Sequence, residues 1–241
     1  HLLTHTSGLG DFFGDAFATA RARLRQPRDY LPLFAERPLA FAPGARYAYS
    51  NAGFLVLGLL VERLSGQAYF DYVRERIYAP AAMADTDCYD LDLDIPNRAV
   101  GYTRRSDEGD AETGPRRSNW ALLQMKGGPA GGGYSTVTDL WRFALALRDH
   151  RLLSAEGTAL VTTGKVETDM PGMRYAYGFM THELDGRRLF GHGGGFFGVE
   201  GALMLVPDPG YTIAVLANYD PPAASEVLFP IVRLVAQGQP A

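Results

Sequence analysis

"RYAYGFMTHELDGRRLFGHGGGFFGVEGALMLVPDPGYTIAVLAN", residues 174–218, holds four β-rich runs separated by short turns. Valine, isoleucine, phenylalanine and tyrosine recur in the runs, and such branched and aromatic side chains suit a pleated, half-buried surface. Asp185-Gly186 and the "PDPG" of residues 207–210 are turn sequences short enough to join neighbouring strands as antiparallel hairpins. The stretch predicts an antiparallel meander, closed by a helix from Ala223 to about Ala236.

Upstream the pattern is helical. After Pro43-Gly44, Ser50 or Asn51 stands in cap position before an apolar run reaching about Leu64, and Ser65-Gly66 is a stop signal. This predicts a helix that is apolar nearly all round and therefore buried. A second helix is expected from about Ala68 to Tyr78, ended by Ala79-Pro80. A third, opened by Ser135 or Thr138, places Val137, Leu140, Ala144 and Leu147 at spacings of three and four. Glycine clusters at 127–133 and 191–201 read as loops, and Arg104 to Arg117, apolar only at Ala111, as an exposed one. Helices first and strands later predict an α+β class: a mostly helical region over 1–150 and an antiparallel sheet over 151–241, together one domain.

The 241 residues are 46% hydrophobic and 12% aromatic, enough for a buried core. A net charge of −4 with mixed signs points to no nucleic acid and no anionic membrane, leaving small neutral or weakly charged ligands. The longest purely apolar stretch, Ala52 to Val61, has 10 residues, about half of a membrane span. Cys88 is the only cysteine, which excludes an internal disulfide and fits either redox compartment. The chain opens "HLLTHTSGLG", without Met or signal-like segment, and we expect it to start inside a longer protein.

Ser50 lacks the flanking glycines of a nucleophile elbow; Ala48 and Ala52 stand there, and a helix cap is the natural role. Tyr49 can act as a general base if nearby cations depress its pKa, and Asn51 can hold a substrate amide; a core aromatic and a helix cap are the plain alternatives. In "GHGGGFFGVEG", residues 191–201, consecutive glycines leave backbone N–H groups able to form an oxyanion hole, with His192 beside them; a glycine-rich hairpin turn is the alternative. His1 and His5 have the spacing of one helical face but no metalloprotease glutamate between them, and the acidic run Asp85 to Asp94 lacks the glycine and glutamate of a calcium loop. No metal site is expected.

Five motifs in order resemble the serine β-lactamase and penicillin-binding protein superfamily, in its class C β-lactamase, D-aminopeptidase and family VIII esterase branch. They are "LLTHTSGL" (2–9), the "PG" to "YSNAGFLVLG" segment (43–58), "PAAMADT" (80–86), "PAGGGYSTVTDLWRF" (129–143) and the H-G-G stretch with two following strands (192–218). The resemblance implies a β-lactamase-like fold and a cofactor-free hydrolase acting through an acyl-enzyme on ester, D-amino-acid peptide or β-lactam substrates. Periplasmic or secreted location is its weak corollary. It implies roles too: Tyr49 as proton shuttle, Asn51 as substrate-binding asparagine, His192, Gly193 and Gly194 in place of a K-T-G triplet, and Gly195 as an oxyanion donor.

One part of the pattern is missing. The family's nucleophile is the serine of S-x-x-K, and none of Ser7, Ser50, Ser65, Ser106, Ser118, Ser135, Ser154 and Ser225 has a lysine three residues on; the lysines are Lys126 and Lys165. We therefore expect an N-terminally truncated, inactive piece of such an enzyme. A non-catalytic homologue that binds peptidoglycan-like or peptide ligands is the alternative, and a Ser50-His192 hydrolase a third, requiring those side chains to touch. Gly193 and His192 in place of threonine and lysine predict weaker anion recognition.

Overall fold

The computed structural model describes residues 1–105 and 114–238, so most of the loop expected between Arg104 and Arg117 lies outside the described residues. Its helices are α1 (Asp15–Ala20), α2 (Asn51–Ser65), α3 (Tyr69–Val73), α4 (Ala79–Ala81), α5 (Val137–Arg148), α6 (Ala155–Thr162) and α7 (Ser225–Ala236). A two-residue ladder joins β1 (Tyr102–Thr103) to β2 (Arg117–Ser118). The main sheet runs in sequence order through β3 (Val166–Glu167), β4 (Arg174–Tyr175), β5 (Met180–Leu184), β6 (Arg187–Phe196), β7 (Val199–Val206) and β8 (Tyr211–Ala217), antiparallel throughout. The α+β expectation is met.

Alternation along the long strands sorts the molecule into layers, because successive strand side chains point to opposite faces. Leu189, Val206 and Ile213 pack beneath Leu228, Val232 and Val235 of α7. Their neighbours Phe190 and Leu205 pack on the other face against Ala144 and Leu147 of α5. The sheet is thus covered by α7 on one side and by the helical region on the other. His192, two residues beyond Phe190, falls on the face of the helical region. A separate aromatic core of Phe12, Phe17, Tyr30, Leu33 and Phe34 closes around Ala52 and Leu55 of α2.

Several local expectations need correction. Gly193–Gly195 are not in a loop: β6 continues to Phe196, and the turn is the residue pair Phe197-Gly198, with Gly198 at φ 67°. Two glycines of the stretch, Gly191 and Gly195, serve close approach within the strand instead, whereas Gly193 and Gly194 have room for a Cβ. A Cβ at Gly191 would strike the Leu203 carbonyl of β7, and one at Gly195 the ring of Pro221. α2 is not buried all round, since Leu60 is 43% and Leu64 84% exposed; only Ala52, Gly53, Leu55 and Gly58 are buried. The helical run from Tyr69 passes Ala79-Pro80 to Ala81 through a π-turn at Arg74–Tyr78, and Ala82 at φ 59° stops it. The cap of α5 is Thr136, between the two candidates, its hydroxyl accepting from the Asp139 N–H at 3.1 Å.

Candidate active site

The site grows from the entry into α2. Ser50 is buried; its hydroxyl accepts from the Gly53 N–H and donates to the Gly10 carbonyl, each at 3.3 Å. Those bonds make it the N-cap and engage the hydroxyl away from any base. The imidazole it meets is that of His5, whose Nδ1 accepts from the Ser50 backbone N–H at 3.1 Å. The Ser50-His192 arrangement thus gains no support. His1 and His5 share no helix: His1 meets the Thr6 hydroxyl at 3.1 Å, while His5 is 1% exposed.

Extended backbone at the cap turns the preceding Tyr49 outward, where it is half-exposed with one side resting on His5 at a ring separation of 4.0 Å. Partial burial and the nearby Asp11 carboxylate both push the Tyr49 phenol up from its ordinary pKa. Neither cause is a cation, so the condition for a general base, a depressed pKa, is not supplied by these surroundings. Asn51, the first residue of α2, is oriented by the same carboxylate: Asp11 Oδ2 accepts from its side-chain Nδ2 at 2.7 Å and from its backbone N–H at 3.2 Å. A carboxylate accepts only, which settles which end of the Asn51 amide faces it and leaves Oδ1 with one remaining Nδ2 proton for other partners.

β6 brings the H-G-G stretch to the same place. The His192 ring lies 6.2 Å from that of Tyr49, and its Nε2 is 3.1 Å from the hydroxyl of Tyr175 on β4. Burial holds His192 below the ordinary histidine pKa, against a hydrogen bond to the Gly193 backbone. The lysine of a K-T-G triplet would be a permanent cation; this imidazole is neutral at neutral pH. β5 pairs with β6 only as far as Gly191, while β7 pairs with it to Phe196. The edge of residues 192–196 that faces away from β7 therefore has no strand partner, and Gly193, Gly194 and Gly195 are exposed. Strand amides with no partner strand, next to the His192 that lies against Tyr49, are the kind of donor an oxyanion hole uses.

Two grooves of about 790 and 880 Å³ lie elsewhere, along α2 and beside α1, and neither is lined by Tyr49, Asn51 or His192. No group of three or more possible metal ligands occurs among the described residues. The acidic run is engaged by cations: Asp90 and Asp92 meet Arg25 at 2.6 Å each, and Asp87 meets Arg74 at 2.7 Å. Cys88 is buried beside it, its thiol pushed up to about 12, and has no part in nucleophilic chemistry.

The beta-lactamase family profile matches residues 1–237. This chain belongs to the beta-lactamase family. Penicillin-binding protein 4* of Bacillus subtilis is 27% identical over 90% of the chain and 50% of its own length. D-aminopeptidase of Brucella anthropi is 30% identical over 80% of the chain and 35% of its length. Among solved structures, a penicillin-binding protein from Bacillus halodurans superposes with a TM-score of 0.87 at 33% identity, covering 97% of this chain and 71% of that one. The chain spans about half the length, or less, of these two curated relatives. As a family member it has the mixed helix-and-sheet fold of hydrolases, and no helix among its described residues is long and apolar enough to cross a membrane.

Three residues that shape the site were not singled out in the sequence: Asp11, Tyr175 and His5 as a ring platform. Asp11 follows "LLTHTSGLG", 40 residues from its partner Asn51, and Tyr175 lies in a strand run, 17 residues from its hydrogen-bond partner His192 and 126 from Tyr49. No local pattern marks such a pairing. The available signal was the buried-strand position of Tyr175, whose hydroxyl had to find a partner.

Proposed function

We propose that this chain supplies the proton-shuttle, substrate-binding and oxyanion parts of a serine hydrolase that forms an acyl-enzyme on ester, D-amino-acid amide or β-lactam substrates. The observation that supports the reading is that the Tyr49 ring lies 6.2 Å from that of His192, at the open edge of β6, with Asn51 two residues along the chain from Tyr49. Names of relatives, a D-aminopeptidase and penicillin-binding proteins, agree with it. In the complete reaction a serine attacks the substrate carbonyl, Tyr49 takes its proton and returns it to the leaving group, and water resolves the ester. Gly195 offers its N–H to the oxyanion, Asn51 holds the substrate amide, and His192, Gly193 and Gly194 line the adjoining wall. The reaction needs neither metal nor organic cofactor.

The neutral His192 tilts recognition towards uncharged esters and amides, away from ligands whose carboxylate seeks a cation. By itself the chain, lacking S-x-x-K, is a binder without turnover. Incubation with a fluorescent penicillin and with p-nitrophenyl esters, read by intact mass, should show no stable acyl adduct; an adduct overturns this. A second reading, a non-catalytic ligand-binding homologue, is favoured by the raised rather than lowered pKa of Tyr49. The coding sequence upstream of His1 separates the two: an S-x-x-K encoded there supports the enzyme, and a start codon directly before His1 the binder.

A further inference from the structure

Tyr175 belongs to no motif of the resemblance, yet it is the most enclosed aromatic residue near the site, 1% exposed at the end of β4. Its ring is in edge contact with His5 at 4.6 Å and lies 5.9 Å from Tyr47 and 6.4 Å from Tyr49. The hydroxyl reaches out of this aromatic enclosure to one polar side chain, His192, at 3.1 Å from Nε2. Burial, with Tyr49 and Tyr47 beside it, keeps the phenol protonated far beyond neutral pH. The hydrogen bond has one proton and two possible owners. If His192 carried it on Nε2, the phenol would be the acceptor and its own proton would be left in the aromatic enclosure, where His192 is the one hydrogen-bond partner of that hydroxyl among the described residues.

We infer that Tyr175 is a positioning residue for the site: its hydroxyl donates to His192 Nε2 and holds the imidazole as the neutral Nδ1–H tautomer. The tautomer of a histidine is set by the bond its other nitrogen makes. Held this way, His192 presents a fixed, uncharged donor edge next to Gly193 and Gly194. The groups that face it are Tyr175, Tyr49 and, at longer range, His5, whose charged form would repel a charged His192. The role of this donor in ligand selection rests on the proposed substrate-facing reading of His192, whereas the tautomer itself does not.

The test uses the chain with ¹⁵N-labelled histidine and long-range proton–nitrogen spectra, His192 being assigned by the variant His192→Gln. The native chain should show an Nδ1-protonated, Nε2-accepting His192. Tyr175→Phe keeps the ring and removes the donor; it should yield mixed tautomers and raise the His192 pKa by about one unit, the equivalent of one lost hydrogen bond. An unchanged tautomer and titration in a folded Tyr175→Phe chain overturns the inference. So does an Nε2-protonated His192 in the native chain, a result that needs no folded variant. No ligand enters these spectra, so a failed ligand titration would count against the proposed function and leave this result standing.

Discussion

His5 shows how a single buried ring ties the site to stability. Burial, then the charge of His192, lower its pKa from 6.5 to about 4 in the folded chain. Between those values the unfolded chain binds a proton that the folded chain refuses, so stability is fully present above pH 6.5 and is lost as pH falls towards 4. The loss is on the order of 3 kcal/mol. Urea denaturation at pH 7 and pH 4 should show it, and His5→Asn, which keeps an acceptor for the Ser50 N–H, should flatten the dependence. Tyr49 follows the opposite charge logic. Because Asp11 raises its pKa, Asp11→Asn should make Tyr49 ionise at lower pH, as read from ¹³Cζ-labelled tyrosine spectra. At this scale the sequence was legible where chemistry is local: Ser50 as a cap and Tyr49 beside it follow from spacing alone. The proton balance of Tyr49 was not, since it depends on Asp11, 38 residues away.

Elements were read well where periodicity carried them. α2 begins and ends at its cap signals, Ser50 and Gly66, and the four long β-rich runs all became strands or parts of strands. The H-G-G segment was misplaced because glycine marks both a turn and a strand that something approaches closely, and sequence alone does not distinguish them. Substitution does. Gly191→Ala should destabilise the chain severely, since its Cβ meets β7 backbone, whereas Gly193→Ala, with ordinary 3.6 Å contacts, should unfold within about 0.5 kcal/mol of the parent. The start of α7 had no cap in its own segment and takes one from β7: Glu200 accepts from the Ala224 N–H at 2.6 Å and the Ser225 hydroxyl at 2.8 Å. Glu200→Ala should lower unfolding stability by about 1–2 kcal/mol in denaturant titration, leaving the Tyr49 site intact.

At the scale of the molecule, layers of helix, sheet and helix place His192 and Tyr49 on one side, so the site is a consequence of strand alternation and of α2 docking near β4 and β6. The same architecture leaves the outer edge of β8 without a strand partner among the described residues, with Tyr211 48% and Leu216 42% exposed. Open edges pair with other chains. Sedimentation should show concentration-dependent association that Leu216→Lys weakens. What the whole account depends on is that Tyr49, Asn51 and β6 form one ligand site. A titration of the ¹⁵N-labelled chain with an N-acetyl-D-amino-acid amide, which carries no charge, addresses this directly. The account predicts amide shifts confined to Asn51 and Gly193, Gly194 and Gly195, with the ligand recovered unhydrolysed; shifts that avoid these residues, or hydrolysis of the amide, would contradict it.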